Sequence, residues 1–155
     1  MRWIVLLFWL LVCFAIAGTS ASWTGNEVRG WYSTLARPSI APPNRVFGPV
    51  WTLLYGLMAV AVWKVSIAAP SPWKSVAITL FIGQLALNFA WSLIFFRWHQ
   101  IGWALVEVIV LWIGILMTTL AFARVSVIAA WLMAPYLAWV SFASVLNEEY
   151  WRLNR

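Results

Sequence analysis

Three short runs in this chain place polar and aromatic side chains at helical spacing. Gln84, Asn88 and Ser92 recur at i, i+4 and i+8, which sets them in one stripe on one helix face, with Trp91 close by. Trp51 and Tyr55 stand at i, i+4, and Tyr136, Trp139, Ala143 and Asn147 at i, i+3, i+7 and i+11. If these three faces converge, they enclose a cavity walled by indole and phenol rings with a few amide and hydroxyl groups. Such a cavity suits a flat, largely apolar ligand with polar edges, because each stacked ring adds about 0.5–1.5 kcal/mol beyond area burial. The alternative use of the same faces is packing between helices. Amides such as Gln84 and Asn88 then act as interhelical glue, worth about 0.6–2 kcal/mol each.

Other chemistry finds no residues to carry it. The only histidine, His99, has no cysteine or acid at ligand spacing, so no metal site is expected. There is no Ser/His/Asp set, no glycine-rich phosphate loop and no carboxylate pair, which leaves hydrolysis and phosphoryl transfer without candidates. Glu107 is the one acid inside an apolar run. It either reaches the interface beside Arg97 or His99, or makes a polar contact within the bundle. Cys13 has no partner for an intrachain disulfide and reads as a small apolar filler. Ten basic residues give a net charge of +6 against four acids. They are scattered over the ends of apolar runs, which excludes nucleic-acid binding and fits anchoring near anionic head groups.

The elements that must position these residues are membrane spans. The chain of 155 residues is 65% hydrophobic and 9% charged, with a mean hydropathy of +0.88. A soluble domain is about 25% charged. Five apolar runs approach the ~20 residues that cross a hydrocarbon core. They lie at about 3–21, 47–69, 73–96, 101–123 and 126–146, and they predict one all-α integral membrane domain over 1–155, a five-helix bundle. The first run, preceded by Arg2, is long enough to read as a span rather than a signal peptide. Connections of two to five residues predict antiparallel neighbours for spans 2 to 5. Only the connection at 22–46 is long. It holds three of the seven prolines, Pro38, Pro42 and Pro43, together with Trp31 and Tyr32, with Pro49 in the first turn of the span that follows, and is expected to be structured. Residues 24–35 within it are expected to form a short interfacial helix, ended by the extended geometry that Pro38 imposes on Arg37. Pro135 is expected to kink span 5, and 147–155 to form a charged amphipathic tail. Loop 1, loop 3 and this tail share Arg29, Arg37, Arg45, Arg97, Arg152 and Arg155, against Arg2, Lys64, Lys74 and Arg124 on the other side. That balance places loop 1 and the C-terminus on the cytoplasmic side. Ala86-x-x-x-Ala90 is a small-xxx-small candidate for helix association. Leu146, Tyr150 and Arg152 match a sterol-contact pattern of hypothesis grade.

With these residues in place, the chain resembles the translocator protein family, also called tryptophan-rich sensory proteins or peripheral benzodiazepine receptors. The likeness covers nearly the whole length. It rests on Trp31-Tyr32-x-x-Leu35-x-Arg37-Pro38-x-x-x-Pro42-Pro43, on Phe47-x-x-Val50-Trp51-Thr52-x-Leu54-Tyr55 and on Leu87-Asn88-x-x-Trp91-Ser92-x-x-Phe95-Phe96. Gly102-Trp103-Ala104-Leu105 and Pro135-Tyr136-Leu137-x-Trp139, followed by Leu146-Asn147, complete it. The stretch from Asn88 to Glu107 is most similar to animal mitochondrial members, which also carry an acid at the position of Glu107. The resemblance implies a five-helix bundle, usually a homodimer, with a pocket under loop 1. It implies a porphyrin such as protoporphyrin IX as ligand, with sterols and synthetic benzodiazepine-site compounds as others, and no required cofactor. The family pocket corresponds to Tyr32, Pro42, Pro43, Trp51, Asn88, Trp139, Ala143 and Leu146. In some bacterial members a light-dependent breakdown of porphyrin is attributed to tryptophans that correspond to Trp51 and Trp139. Many members have Trp-x-Pro-Pro in loop 1, where this chain has Ile40-Ala41-Pro42-Pro43, a change that would remove one aromatic wall. A bacterial cell or outer membrane, or a mitochondrial outer membrane, is the implied location.

Overall fold

The computed structural model describes residues 1–155 and contains helices and no strands. Five helices are long and apolar enough to cross a membrane. These are α1 (Arg2–Arg29), α3 (Phe47–Ser66), α4 (Pro72–Ser92), α5 (Ile101–Ala123) and α6 (Val127–Leu153). A single turn, α2 (Trp31–Thr34), follows α1, and a 3₁₀ turn (Asn44–Val46) leads into α3. The last turn of α4 widens into a π-helix over Leu93–Arg97. Start signals sit where capping chemistry puts them. Ser71 accepts from the Trp73 amide at 3.2 Å, with Pro72 in the first turn, and Ser126 accepts from the Ala129 amide at 3.3 Å.

Two boundaries differ from those expected. The first helix does not end near Ala21, and 24–35 is not a separate interfacial helix; α1 continues to Arg29. The polar residues that suggested a loop satisfy themselves on the helix. Thr19 donates to the Ala15 carbonyl, Ser22 to Thr19 and Thr24 to Ser20, at 2.7–2.9 Å. No proline intervenes before Pro38. Likewise the charged tail is not separate. α6 runs through Pro135 and on to Leu153, with Arg152 paired to Glu149 one turn back.

The packing order also differs from chain order. α5 lies against α4 and α6, α3 lies against α1 and α6, and α3 touches α4 only lightly. A short connection fixes the distance between two helix ends but not packing along their length. The larger core cluster includes Met58, Val62, Phe81, Ile115, Phe122 and Met133; a smaller one gathers Tyr32, Phe95, Phe96, Ile101, Ala104, Leu146 and Tyr150 beneath loop 1. The outer surface carries Leu7, Leu53, Ile109, Leu120 and Trp131, all more than half exposed. A surface of this kind belongs in hydrocarbon, so this is a multi-pass integral membrane protein.

Loop 1 is tied down at several points. The Asn154 amide brackets Ala36, accepting from its N–H at 2.8 Å and donating to its carbonyl at 3.1 Å. The Arg37 guanidinium donates to the Pro42 carbonyl at 2.6 Å. The Trp31 ring stacks on His99 at 4.1 Å, and His99 Nε2 lies 3.0 Å from Glu27 Oε2 at the end of α1. His99 takes the left-handed conformation, φ 56°, an uncommon one for a residue with a side chain. Here it turns the ring back onto Trp31.

Candidate ligand pocket

The three faces picked out by periodicity converge. Beneath loop 1 they surround a cavity of about 810 Å³, within the range of small-molecule sites. Trp51 and Tyr55 enter from α3, Asn88, Trp91 and Ser92 from α4, and Trp139, Ala143, Leu146 and Asn147 from α6. Tyr32 closes the loop end, packed 5.1 Å from Tyr150 and 5.7 Å from Phe96.

The two amides that face the cavity, Asn88 on α4 and Asn147 on α6, are each held by named partners. Tyr55 Oη donates to Asn88 Oδ1 at 2.6 Å, and Asn88 Nδ2 donates to Tyr136 Oη at 2.8 Å. One amide thus joins three helices, as a buried polar group in a bilayer must. The stripe's two readings are therefore both realised in Asn88, which is glue and cavity wall at once. Higher up, Trp91 Nε1 donates to Asn147 Oδ1 at 3.1 Å, and Asn147 Nδ2 donates to the Ile101 carbonyl at 3.0 Å. Gln84 lies deeper than the cavity, with Nε2 4.0 Å from the Met58 sulfur and Oε1 without a partner. Tyr136 is fully buried behind Trp51, ring to ring at 6.2 Å.

Of the residues implied by resemblance, Tyr32, Trp51, Asn88, Trp139, Ala143 and Leu146 share this cavity, while Pro42 and Pro43 lie outside its lining. Ile40 is exposed and also outside it. The prolines shape loop 1 rather than wall the space. In the sterol-contact pattern, Leu146 and Tyr150 are buried against the cavity, whereas Arg152 is exposed and bound to Glu149. The three therefore share no single outward face. His99 is engaged by Trp31 and Glu27. Both carboxylate oxygens of Glu107 are buried without a partner, so neither Arg97 nor His99 reaches it.

The periodicity reading omitted one entire wall. α1 lines the cavity from Phe14 to Arg29, largely through small residues, Ala17, Gly18, Ala21 and Gly25. Their spacing of three to four was the available signal. Arg29 and Arg45 were counted only for orientation. Both stand on the cavity's loop end, and neither takes part in an ion pair. Chemically, the space is an aromatic slot with cationic groups at one end.

Comparison with known proteins agrees with the whole-chain likeness. A family model described as "TspO/MBR family" matches residues 9–152. The "Tryptophan-rich protein TspO" of Chlorobaculum tepidum is 42% identical over 147 residues, covering 92% of this chain and 91% of that protein. The human "Translocator protein" is 44% identical over 127 residues, 80% of this chain and 75% of that one. The "Tryptophan-rich sensory protein" of Cereibacter sphaeroides is 36% identical over 154 residues, 99% and 94% of the two chains.

Proposed function

The chain belongs to the TspO/MBR family of membrane proteins, and from that premise we propose that it binds a porphyrin of the protoporphyrin IX type in the cavity beneath loop 1. In this reading it acts as a carrier, sensor or regulator of tetrapyrrole level, working as a homodimer with loop 1 and the C-terminus on the cytoplasmic side. The observation that carries the reading is the pairing of an aromatic slot with two free arginines at one end. A porphyrin is flat and apolar over its faces and bears carboxylates along one edge. Trp51 and Trp139 supply the stacking walls. Arg29 and Arg45 supply charge-assisted donors for the carboxylates. A sterol would use the apolar walls but leave the arginines unanswered, so it ranks second as a ligand.

The test compares protoporphyrin IX with its dimethyl ester by fluorescence titration of the purified protein. The dicarboxylate should bind several-fold more tightly at low salt, and the difference should shrink as salt screens the arginines. Equal affinities at all salt concentrations would contradict the role given to Arg29 and Arg45. A second reading, light-dependent porphyrin breakdown, is favoured by the presence of both Trp51 and Trp139 on the lining, since indole can donate an electron to a photoexcited porphyrin. Loss of porphyrin absorption on illumination that persists in Trp51→Phe/Trp139→Phe would rule those residues out as its agents.

A further inference from the structure

We infer that the cavity opens sideways, between α1 and α3, directly into the bilayer, and that its ligand enters from the lipid phase through this slit. The inference deepens the porphyrin reading and rests on it for the identity of the ligand alone.

The two helices are tied together at one end only. Trp63 Nε1 donates to the Arg2 carbonyl at 2.9 Å, Trp3 stacks on Trp63 at 5.7 Å, and Trp9 Nε1 donates to Ser66 Oγ at 2.9 Å. All three contacts lie at the start of α1 and the end of α3. Toward loop 1 no ring contact joins the two helices, their one polar approach is Ser20 beside the Tyr55 hydroxyl, and the cavity lies beyond it. Its edges are small on both sides: Gly18, Ala21 and Gly25 on α1, Gly48 and Thr52 on α3. Gly18, Ala21, Gly48 and Thr52 line the cavity and are themselves exposed, so no bulky side chain covers the gap between the two helices here. A Cβ built at Gly18, Gly25 or Gly48 would meet no atom within 4 Å, so these glycines are not there to let backbones touch.

A second observation points inward from the slit. Ser20, only 8% exposed, lines the cavity from α1, and its hydroxyl makes no well-formed hydrogen bond, lying beside a Tyr55 hydroxyl that already donates to Asn88. A buried hydroxyl without a partner is uncommon and costly. It is answered when a ligand's polar edge occupies the space. At the loop end, the Asn154 bracket and the Trp31–His99 stack hold loop 1 in place over the cavity. A ligand dissolved in the membrane meets the slit without displacing either.

Two measurements on protein reconstituted in phosphatidylcholine nanodiscs test this. In the first, Ala143→Cys in a Cys13→Ala background is alkylated by a membrane-dissolved pyrene maleimide. Gly18→Leu and Gly48→Leu should each slow the reaction at least five-fold, while Gly83→Leu, on an exposed part of α4 remote from the lining, should leave it unchanged. In the second, protoporphyrin IX is delivered from the bilayer and its association rate followed. The same two variants should slow both association and dissociation by a similar factor, whereas Asn154→Ala should leave association unchanged. Labelling and association rates that ignore Gly18→Leu and Gly48→Leu but rise in Asn154→Ala would overturn the slit and assign entry to loop 1. Slit-dependent labelling in a protein that binds no porphyrin would uphold the slit and refute the ligand.

Discussion

Both ends of the Asn88 amide are engaged within the protein, by Tyr55 and Tyr136. Asn88→Leu therefore leaves two phenol hydroxyls unpaired inside the bundle and should cost about 1–2 kcal/mol of stability, read as a lower melting temperature in detergent. Tyr136→Phe, which keeps the Tyr55–Asn88 bond, should cost less. The three faces were readable in the sequence because the side chains that form them are rare polar and aromatic residues against an apolar background, so their 3.6-residue period stands out. Glu107 shows the opposite case. Periodicity gives its depth in the membrane but not its azimuth, and the structure leaves both carboxylate oxygens buried and unpartnered. A buried carboxyl group without a hydrogen-bond partner is destabilising. Glu107→Leu, which removes both unpartnered oxygens, should raise the melting temperature by an amount equivalent to about 1 kcal/mol.

At the scale of the element, helix existence was legible and helix ends were not. Thr19, Ser22 and Thr24 look like loop residues by composition, yet their hydroxyls bond back to their own helix and let α1 run eight residues beyond Ala21, to Arg29. That extension adds Thr24, Gly25, Val28 and Arg29 to the α1 wall of the cavity. The same difficulty hid the continuation of α6 to Leu153, whose end is held to loop 1 by Asn154. Asn154→Ala removes both bonds to Ala36 and the bond to the Tyr150 carbonyl. It should lower the free energy of local loop opening by about 1–2 kcal/mol, seen as trypsin cleavage after Arg45 roughly ten-fold faster. The start of α5 meets the end of α6 at Gly102, where an added Cβ would lie 3.0 Å from Trp151 Nε1. Gly102→Val should displace that indole and cost about 1–3 kcal/mol, whereas Gly102→Ala should be tolerated, because the Trp151 ring lies at the surface and is able to shift.

For the whole molecule, five membrane spans follow from hydropathy because the bilayer sets their length and forbids unsatisfied backbone. The order in which they pack does not follow, since α3 leaves α4 after a short turn to lie on α1 and α6. Two consequences escaped the linear reading: the α1 wall of the cavity, and the arginine pair at its loop end. Both arise from the contact between chain segments remote in sequence. The family likeness supplied the prolines Pro42 and Pro43 as pocket residues, and the structure sets them outside the lining, where they shape the loop over it. The central claim is that the aromatic slot holds the porphyrin. It is tested most directly by an equilibrium fluorescence-quenching titration of protoporphyrin IX against the wild-type protein and Trp51→Ala/Trp139→Ala. With about 0.5–1.5 kcal/mol of stacking lost per ring in addition to buried area, the double variant should bind at least about ten-fold more weakly at unchanged stoichiometry. An unchanged Kd in a correctly folded double variant would contradict the account.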